Sequence, residues 1–541
     1  MSSTFAQVNS QSSFKKRPVR SLVFIDSGVE DYESITAGVL PGQQVVILDS
    51  TKNGIEKITS EMEKYASTKG AIESVHIFSH GNSGSLQLGS ATLNSDNLPQ
   101  YESQLQGWRN ALSEKADIVL YGCDVAAGSG SDFVARLGEL TGADIAASTD
   151  RTGYGGNWNL EFAKGDIEAP LALTPEAMAD YRGTLGTITV TNTNDSGPGS
   201  LRNAIASAAA GDTIQFVSTL ASQTITLTSG QLVINKNLTI DAVGAANLTI
   251  SGNNTSRVIL TEALTNVTLK NLIVANGKVS GTDQNNQTTS AGGGIQTGSS
   301  STLTLENCQV NNNVAGFGGG IYTGFKSTTH VTNSTFDGND GRSANSERGG
   351  GAIATKSGGS LTVKGSTFTN NKGINGGAIN HLLGNLTVEN STFLNNDSTA
   401  GAAGANTSGY GGAIYTDGAN ASGTNSTPGP VGGTIAIRNS RFEGNKGAGQ
   451  GGGMFLFVYP PDKIIVEGST IVNNQVVKSS NGDALGGGLR IANGAFTISN
   501  TTFSNNLAQS QGGALWVGEK SPGTIINSTF AGNKAEDASG T

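Results

Sequence analysis

Two apolar stretches of this 541-residue chain run into residues that can do chemistry together. SVHIFS (Ser74 to Ser79) leads to His80 and Gly81, and DIVLYG (Asp117 to Gly122) leads to Cys123. Both stretches read as parallel strands buried on two faces. The C-terminal ends of neighbouring parallel strands are the edge at which open α/β sheets bind ligands. A cysteine there is weak at its unperturbed pKa of about 8.5, and a nearby imidazole favours the thiolate or takes its proton during attack. Gly81 lets backbone approach a substrate closely, and the amides of Gly81 and Cys123 can together bind an oxyanion. The plainer readings are that Cys123 is a small core residue and His80 a polar cap on its strand.

The elements that must position these residues follow from periodicity. SLVFID (Ser21 to Asp26) and QVVILD (Gln44 to Asp49) read as strands, followed by a helix over Gly54 to Ser67 and the strand ending before His80. A hairpin, SLQLGSATLN, precedes a helix containing Trp108 and Leu112. The strand ending before Cys123, a helix over Asp132 to Leu140 and the strand DIAAST (Asp144 to Thr149) complete the pattern. Strand and helix alternating in this way give a parallel sheet with flanking helices. Asp124, Asp150 and Arg151 fall near the same edge, either to bind a charged side chain or to pair among themselves. His76 lies on the strand itself and is expected to be structural.

Near Gly183 to Gly186 the composition changes to Thr, Asn and Gly, and we place a domain boundary there. Only 14% of the chain is charged, against 77 Gly and 11 Pro, so the surface is neutral and rich in hydroxyls. A formal charge of −9 excludes the cationic footprint that nucleic acid or anionic lipid requires. The two cysteines, Cys123 and Cys308, fall on opposite sides of the boundary, so no disulfide framework exists. Residues 1–20 hold no apolar run suited to a signal peptide and read as a disordered tail. No later stretch approaches the roughly eighteen apolar residues needed to span a bilayer, so membrane insertion is not expected.

Beyond the boundary one unit recurs: a glycine cluster, then LTVxNSTF, two variable residues and Asn. Its apolar anchor falls at Val310, Phe336, Phe368, Phe393, Phe442, Ile471, Phe503 and Phe530, at steps of 26, 32, 25, 49, 29, 32 and 27 residues. Periods of this size mark a solenoid, and the long step is one coil carrying an insertion around Gly401 to Gly432. Coils of three short strands must turn corners, which Gly and Asn supply. In LTVENSTF, Leu386, Val388 and Phe393 are expected to point inward. The asparagines three residues after the anchors (Asn339, Asn371, Asn396, Asn445, Asn474, Asn506 and Asn533) are expected to form an internal ladder bonded coil to coil. Thr187 to Phe216 supplies an N-terminal cap, with Leu201, Ile205 and Ala208 on one face of a short helix. The expected organisation is a tail (1–20), an α/β domain (21–185), cap and first coils (186–290) and repeats (291–541), the last continuing beyond Thr541. The fold class is α/β followed by an all-β, right-handed parallel β-helix.

The solenoid resembles the polymorphic outer-membrane and adhesin-type β-helix repeats of large bacterial surface proteins, carried by the glycine clusters, NSTFxxN and the cap GSLRNAIASAAAGDTIQF. Residues 21–185 are similar to an uncharacterised domain at the start of giant bacterial surface proteins, carried by VHIFSHGNSGSLQLG, ADIVLYGCDVAAG, LTGADIAASTD and GGNWNLE. Two of these blocks also resemble the signature of the caspase, gingipain and clostripain clan of cysteine peptidases, in which one strand ends in His-Gly and another in a small residue and Cys. That resemblance implies a caspase-like sheet with His80 as general base and Cys123 as nucleophile.

Three functions follow as expectations. The first is an adhesin-like protein, extracellular or at the cell surface, exported without a typical N-terminal signal peptide and presenting a polar surface to a glycan or protein, as a monomer or part of a larger chain. The second is a cysteine peptidase that acts on its own chain near Gly183 to Gly186. The third is a polysaccharide lyase on the solenoid, drawing on Asp337, Asp340, Glu347 and Arg342, a segment that also reads as a solvated turn. His330 and His381 are isolated, no metal-ligand spacing is present and no cofactor is expected. MFLFVYPP (Met454 to Pro461) is expected to leave Phe455, Phe457 and Tyr459 outside, as a partner-binding stripe or the floor of an insertion.

Overall fold

The computed structural model describes residues 20–536, apart from residues 30, 51, 155, 182, 184, 209, 284–286, 345, 404–408, 422–427 and 519. The expected N-terminal tail thus lies outside the described residues except for Arg20, which pairs with Glu73 at 2.9 Å. So do parts of the boundary segment and of the insertion. The chain divides into two compact units, Met1–Thr187 and Ile188–Thr541.

In the first unit the strands are β1 (Ser21–Asp26), β2 (Gln44–Leu48), β3 (Ile72–Phe78), the short β4 (Gly81–Asn82), the hairpin β5 (Ser85–Leu88) and β6 (Ala91–Asn94), β7 (Leu112–Leu120), β8 (Asp144–Ala147) and β9 (Phe162–Lys164). The main sheet has the order β2-β1-β3-β7-β8-β9. Its first five strands are parallel, and β9 adds an antiparallel edge that the alternation did not show. β1 is buried along its whole length, whereas β2, at the sheet edge, is only partly covered. Helices α1 (Tyr32–Gly38), α2 (Gly54–Lys69), α3 (Glu102–Ala111), α4 (Gly130–Thr141) and α5 (Pro175–Asp180) flank the sheet.

Leu112 is a correction. Leu105, Trp108 and Ala111 face the core at helical spacing, but α3 stops at Ala111, and Leu112 is extended and opens β7. Its offset from Trp108 suits one more helical turn, so periodicity alone cannot find this end. Trp108 bonds the Thr59 hydroxyl at 2.8 Å and ties α3 to α2.

The second unit is a parallel β-helix. Its described residues form three long parallel sheets of twelve, eleven and ten strands, each coil adding a strand to each sheet in turn. In the second sheet the anchors stand in register from Val310 to Phe530. The rings of Phe336, Phe368, Phe393 and Phe442 stack face to face, with centroids 4.6 to 4.8 Å apart. Leu386 and Val388 are buried in the first sheet. Each interior asparagine bonds the next: Nδ2 of Asn371 reaches Oδ1 of Asn396 at 2.9 Å, and Asn396 reaches Asn445 at 2.9 Å across the 49-residue step. The ladder begins one rung earlier than expected, at Asn313.

The repeat NSTFxxN can now be read residue by residue. Asn390, like its equivalents Asn333 and Asn439, takes a left-handed conformation at a corner. The serine forms a second ladder that sequence reading missed: the Ser366 amide donates to Ser391 Oγ at 3.1 Å, and the Ser391 amide to Ser440 Oγ at 3.1 Å. The glycine pairs are needed because coils touch there. A Cβ on Gly377 would collide with the Gly412 carbonyl of the next coil. The cap is also present: Leu201–Ser207 is helical, Ser200 caps it, and Leu201, Ile205 and Ala208 are buried.

Phe393→Ala is expected to destabilise the solenoid by about 3–5 kcal/mol, while Thr392→Ala, on the outward side of the same strand, costs less than about 1 kcal/mol. Urea unfolding with hydrogen exchange checks this, and the faster exchange of Phe393→Ala should centre on the coils of Phe368 and Phe442.

Candidate active site at one edge of the α/β sheet

β3 and β7 are adjacent and parallel, with Ile77 opposite Leu120. The chain leaving each strand therefore emerges at the same edge, bringing His80-Gly81 beside Gly122-Cys123. The approach is close: a Cβ on Gly81 would sit 2.8 Å from the Cys123 carbonyl oxygen and 2.8 Å from the Gly122 Cα. Cys123 and His80 are buried, at 1% and 4% exposure.

Both amides expected to hold an oxyanion are engaged, and by one acceptor. Gly81 N–H donates to the Leu185 carbonyl at 2.9 Å, and Cys123 N–H to the same oxygen at 3.1 Å. Residues around Leu185 lie along this edge as an extended segment. Gly186 bridges Gly81 in parallel, Leu185 N–H donates to the Thr152 carbonyl at 3.2 Å, and Tyr154 N–H donates to the Gly183 carbonyl at 2.8 Å. The Leu185 side chain is fully buried in an apolar cluster with Phe78, Tyr121, Cys123, Leu173 and Tyr181. The thiol of Cys123 meets the backbone of Thr152, accepting from its N–H at 3.0 Å and donating to its carbonyl at 3.3 Å.

The imidazole of His80 is oriented by the loop after β1. Its Nε2 lies 3.2 Å from the Gly28 carbonyl. A carbonyl only accepts, so Nε2 carries the hydrogen and Nδ1 is the basic nitrogen. Gly28 is itself fixed by Asp26, whose Oδ1 accepts the Gly28 amide at 2.8 Å. Burial pushes the Asp26 carboxyl above its ordinary value, and its bonds to the Gly28 and Gly89 amides work against that. Sequence reasoning missed Asp26, Gly28 and Leu185, because two of them act through backbone carbonyls.

Residues 22–185 match a domain of unknown function, DUF4347. No curated protein matches the chain. The DUF4347 region thus contains every residue of the edge just described except Gly186.

Within the DUF4347 domain the other expected residues separate from the edge chemistry. Asp150 is exposed and accepts from Asn157 Nδ2 at 2.9 Å, so it does not form a buried ion pair. His76 is buried in β3 between the Tyr121 hydroxyl (3.2 Å) and Ser74 Oγ (3.3 Å). Asp117, Asp144 and Glu168 bring carboxylate oxygens within 4.8 Å of one another, a grouping that their sequence spacing did not suggest.

The lyase set of the solenoid is not brought together. Asp340 is held by Arg342 at 2.6 Å, and Asp337 accepts from Thr369 and Asn370 at 2.7 and 2.9 Å. Glu347 lines a different recess, with Arg348 and Asp417. Asp340 therefore holds its local turn through an arginine two residues on, while Asp337 ties its coil to the next. His381 is buried, and its ring bonds Thr355 Oγ1 at 3.0 Å and the Gly384 carbonyl at 2.8 Å. No helix among the described residues is long and apolar enough to cross a membrane.

Burial lowers the pKa of His76 from 6.5 to about 4. The folded state thus binds this proton less readily than the unfolded state. The neutral ring's contribution is complete above pH 6.5 and is lost as pH falls towards 4, by up to about 3 kcal/mol. His76→Gln should flatten the fall in the DUF4347 domain's urea midpoint between pH 7 and pH 4, measured by tryptophan fluorescence.

Proposed function

We propose that this chain is an exported, surface-associated display protein whose DUF4347 domain is a cysteine peptidase acting on the chain itself. The observation that carries the peptidase reading is the convergence of the Gly81 and Cys123 amides on one carbonyl, that of Leu185. Two N–H groups aimed at a single oxygen beside a cysteine form the arrangement that stabilises the oxyanion of acyl transfer. The likeness of His-Gly and Gly-Cys to the caspase, gingipain and clostripain signature points the same way.

The chemistry would run at the Leu185–Gly186 bond. Nδ1 of His80 takes the Cys123 thiol proton as sulfur attacks the Leu185 carbonyl carbon, and the oxygen, now negative, stays on the two amides. Collapse breaks the C–N bond, and His80 returns the proton to the Gly186 nitrogen. Water then hydrolyses the Leu185 thioester and releases the thiol. The Gly28 carbonyl holds the ring so that the tautomer with a basic Nδ1 is the one present.

Mass spectrometry of the incubated full chain tests this. Wild type should yield a fragment beginning at Gly186, while Cys123→Ala and His80→Ala stay intact, with at least a hundredfold loss of rate. Cleavage that persists in Cys123→Ala would refute the reading. So would equal labelling of wild type and His80→Ala by a leucyl, thiol-directed electrophile.

For the solenoid, the adhesin-like reading rests on a long, neutral, hydroxyl-rich surface and on the likeness of its repeats to those of bacterial surface proteins. Binding of the purified full chain to intact bacterial cells is the expected result. Its absence across cell types would remove the display role without touching the peptidase.

A further inference from the structure

The outward face of the third sheet carries a feature that the interior repeat does not require. In successive coils Asn380, Tyr415, Phe455, Arg490 and Trp516 stand opposite one another as one ladder. Arg490 lies between two rings, its guanidinium 4.6 Å from the Phe455 centroid and 4.7 Å from that of Trp516. Phe457 and Tyr459 continue the aromatic surface, 5.0 Å apart, and Tyr410 closes it from the corner, 5.3 Å from Phe455. Tyr410, Tyr415, Phe455, Phe457, Tyr459 and Arg490 line an open cleft of about 380 Å³ with Asp417 and Gln450. Tyr415 and Asp417 also border the adjoining recess that holds Glu347 and Arg348.

Two polar atoms of the cleft mark it as made for a ligand rather than for packing, and a third lies on the same ladder outside it. Among the described residues, Gln450 Oε1, Arg490 Nε and Asn380 Oδ1 are buried without a hydrogen-bond partner. The rest of the Gln450 amide is committed, its Nε2 donating to the Tyr410 hydroxyl at 3.2 Å. Asn380 is wholly buried, and its Nδ2 is bound to the Glu347 and Asn375 carbonyls. Unsatisfied buried donors and acceptors are costly to keep. Two of these atoms, Gln450 Oε1 and Arg490 Nε, belong to residues that line the one cleft.

We infer that this cleft binds a neutral oligosaccharide. The partly exposed rings of Tyr410, Tyr415, Phe457 and Tyr459 suit the apolar C–H faces of pyranose units, as aromatic side chains offer wide, flat contact at little entropic cost. The open acceptor of Gln450, the open donor of Arg490 and the Asp417 carboxylate suit hydroxyl groups, each of which both donates and accepts. The cleft holds one cation, Arg490, and one anion, Asp417, which favours an uncharged chain over a uronic acid polymer. Coils repeat at about 4.8 Å, close to the length of one sugar unit, so a glycan lying along the ladder meets a new rung at each residue. The strands that carry Tyr415, Phe455 and Arg490 are internal to their sheet, so the cleft itself offers no free edge to an extended peptide.

This inference takes its biological use from the display reading, but its geometry stands without it. Isothermal titration of the full chain with cellohexaose, chitohexaose and hexagalacturonate tests it. At least one neutral hexaose should bind, hexagalacturonate should not, and Arg490→Ala and Gln450→Ala should each weaken binding at least tenfold. Leu264→Ser, exposed and remote in sequence, should leave it unchanged, and circular dichroism melts establish that each variant is folded. Absence of binding by both neutral hexaoses at millimolar concentration overturns the inference, as does binding that is indifferent to both cleft variants or exclusive to hexagalacturonate. Adhesion to cells that survives both variants would keep the display reading while removing this cleft from it; hexaose binding without adhesion would do the reverse.

Discussion

Each interior asparagine of the solenoid can be satisfied only by its neighbours in adjacent coils. Asn445 shows the arrangement in full. Its Oδ1 accepts the amide and the side-chain Nδ2 of Asn396, while its own Nδ2 donates to the Phe393 carbonyl and to Asn474. A primary amide has two donor hydrogens and two acceptor lone pairs, and here all four are used. Sliding a coil by one residue would strand these groups in a dry interior and turn each phenylalanine to the outside. Register is therefore held from within, by an arrangement whose failure costs more than its presence gains.

That constraint explains what may vary. The step from Phe393 to Phe442 is nearly twice the shortest step, yet Asn396 still meets Asn445 and the two rings still stack at 4.8 Å. The extra length enters in the connections before and after Ile414–Asp417, while the rungs at Ser391, Asn396, Ser440 and Asn445 stay paired. Tyr410 stands in the first of these connections, and Tyr415 opens onto the same cleft. An outward ladder such as Tyr415, Phe455, Arg490 and Trp516 exists because the inward one fixes which residues lie side by side. The solenoid thus converts an internal amide repeat into an external surface of arbitrary chemistry.

The repeat was legible because it recurs. NSTFxxN announces its anchor, its turn and its asparagine each time, and Leu386, Val388 and Phe393 face inward as alternation requires. The serine ladder was present in the same letters but hidden, since a serine beside an asparagine reads first as turn chemistry. The cleft was hardly legible. Tyr415, Phe455, Arg490 and Trp516 are neighbours only after coils of unequal length have been stacked, so no fixed period joins them. MFLFVYPP hinted at it, and Phe455 and Phe457 do lie on the outer side of their strand. There they are covered by one another, by Tyr410 and by Arg490 rather than left bare.

In the α/β unit the same distinction separates side chains from backbone. His80, Gly81 and Cys123 could be found from letters, because an apolar strand ending in a reactive residue is a pattern. Leu185 could not, since its part is taken by a carbonyl that every residue possesses. Only the fold shows that this particular oxygen accepts two amides, and that its own N–H and the Cys123 thiol share the Thr152 carbonyl. Without that oxygen the buried N–H groups of Gly81 and Cys123 would lose their acceptor, a costly state. The chain's own Leu185 satisfies them, and its side chain joins the apolar cluster that holds Cys123. The Leu185 carbonyl and the Thr152 backbone thus hold the two N–H groups and the thiol in one closed set of hydrogen bonds.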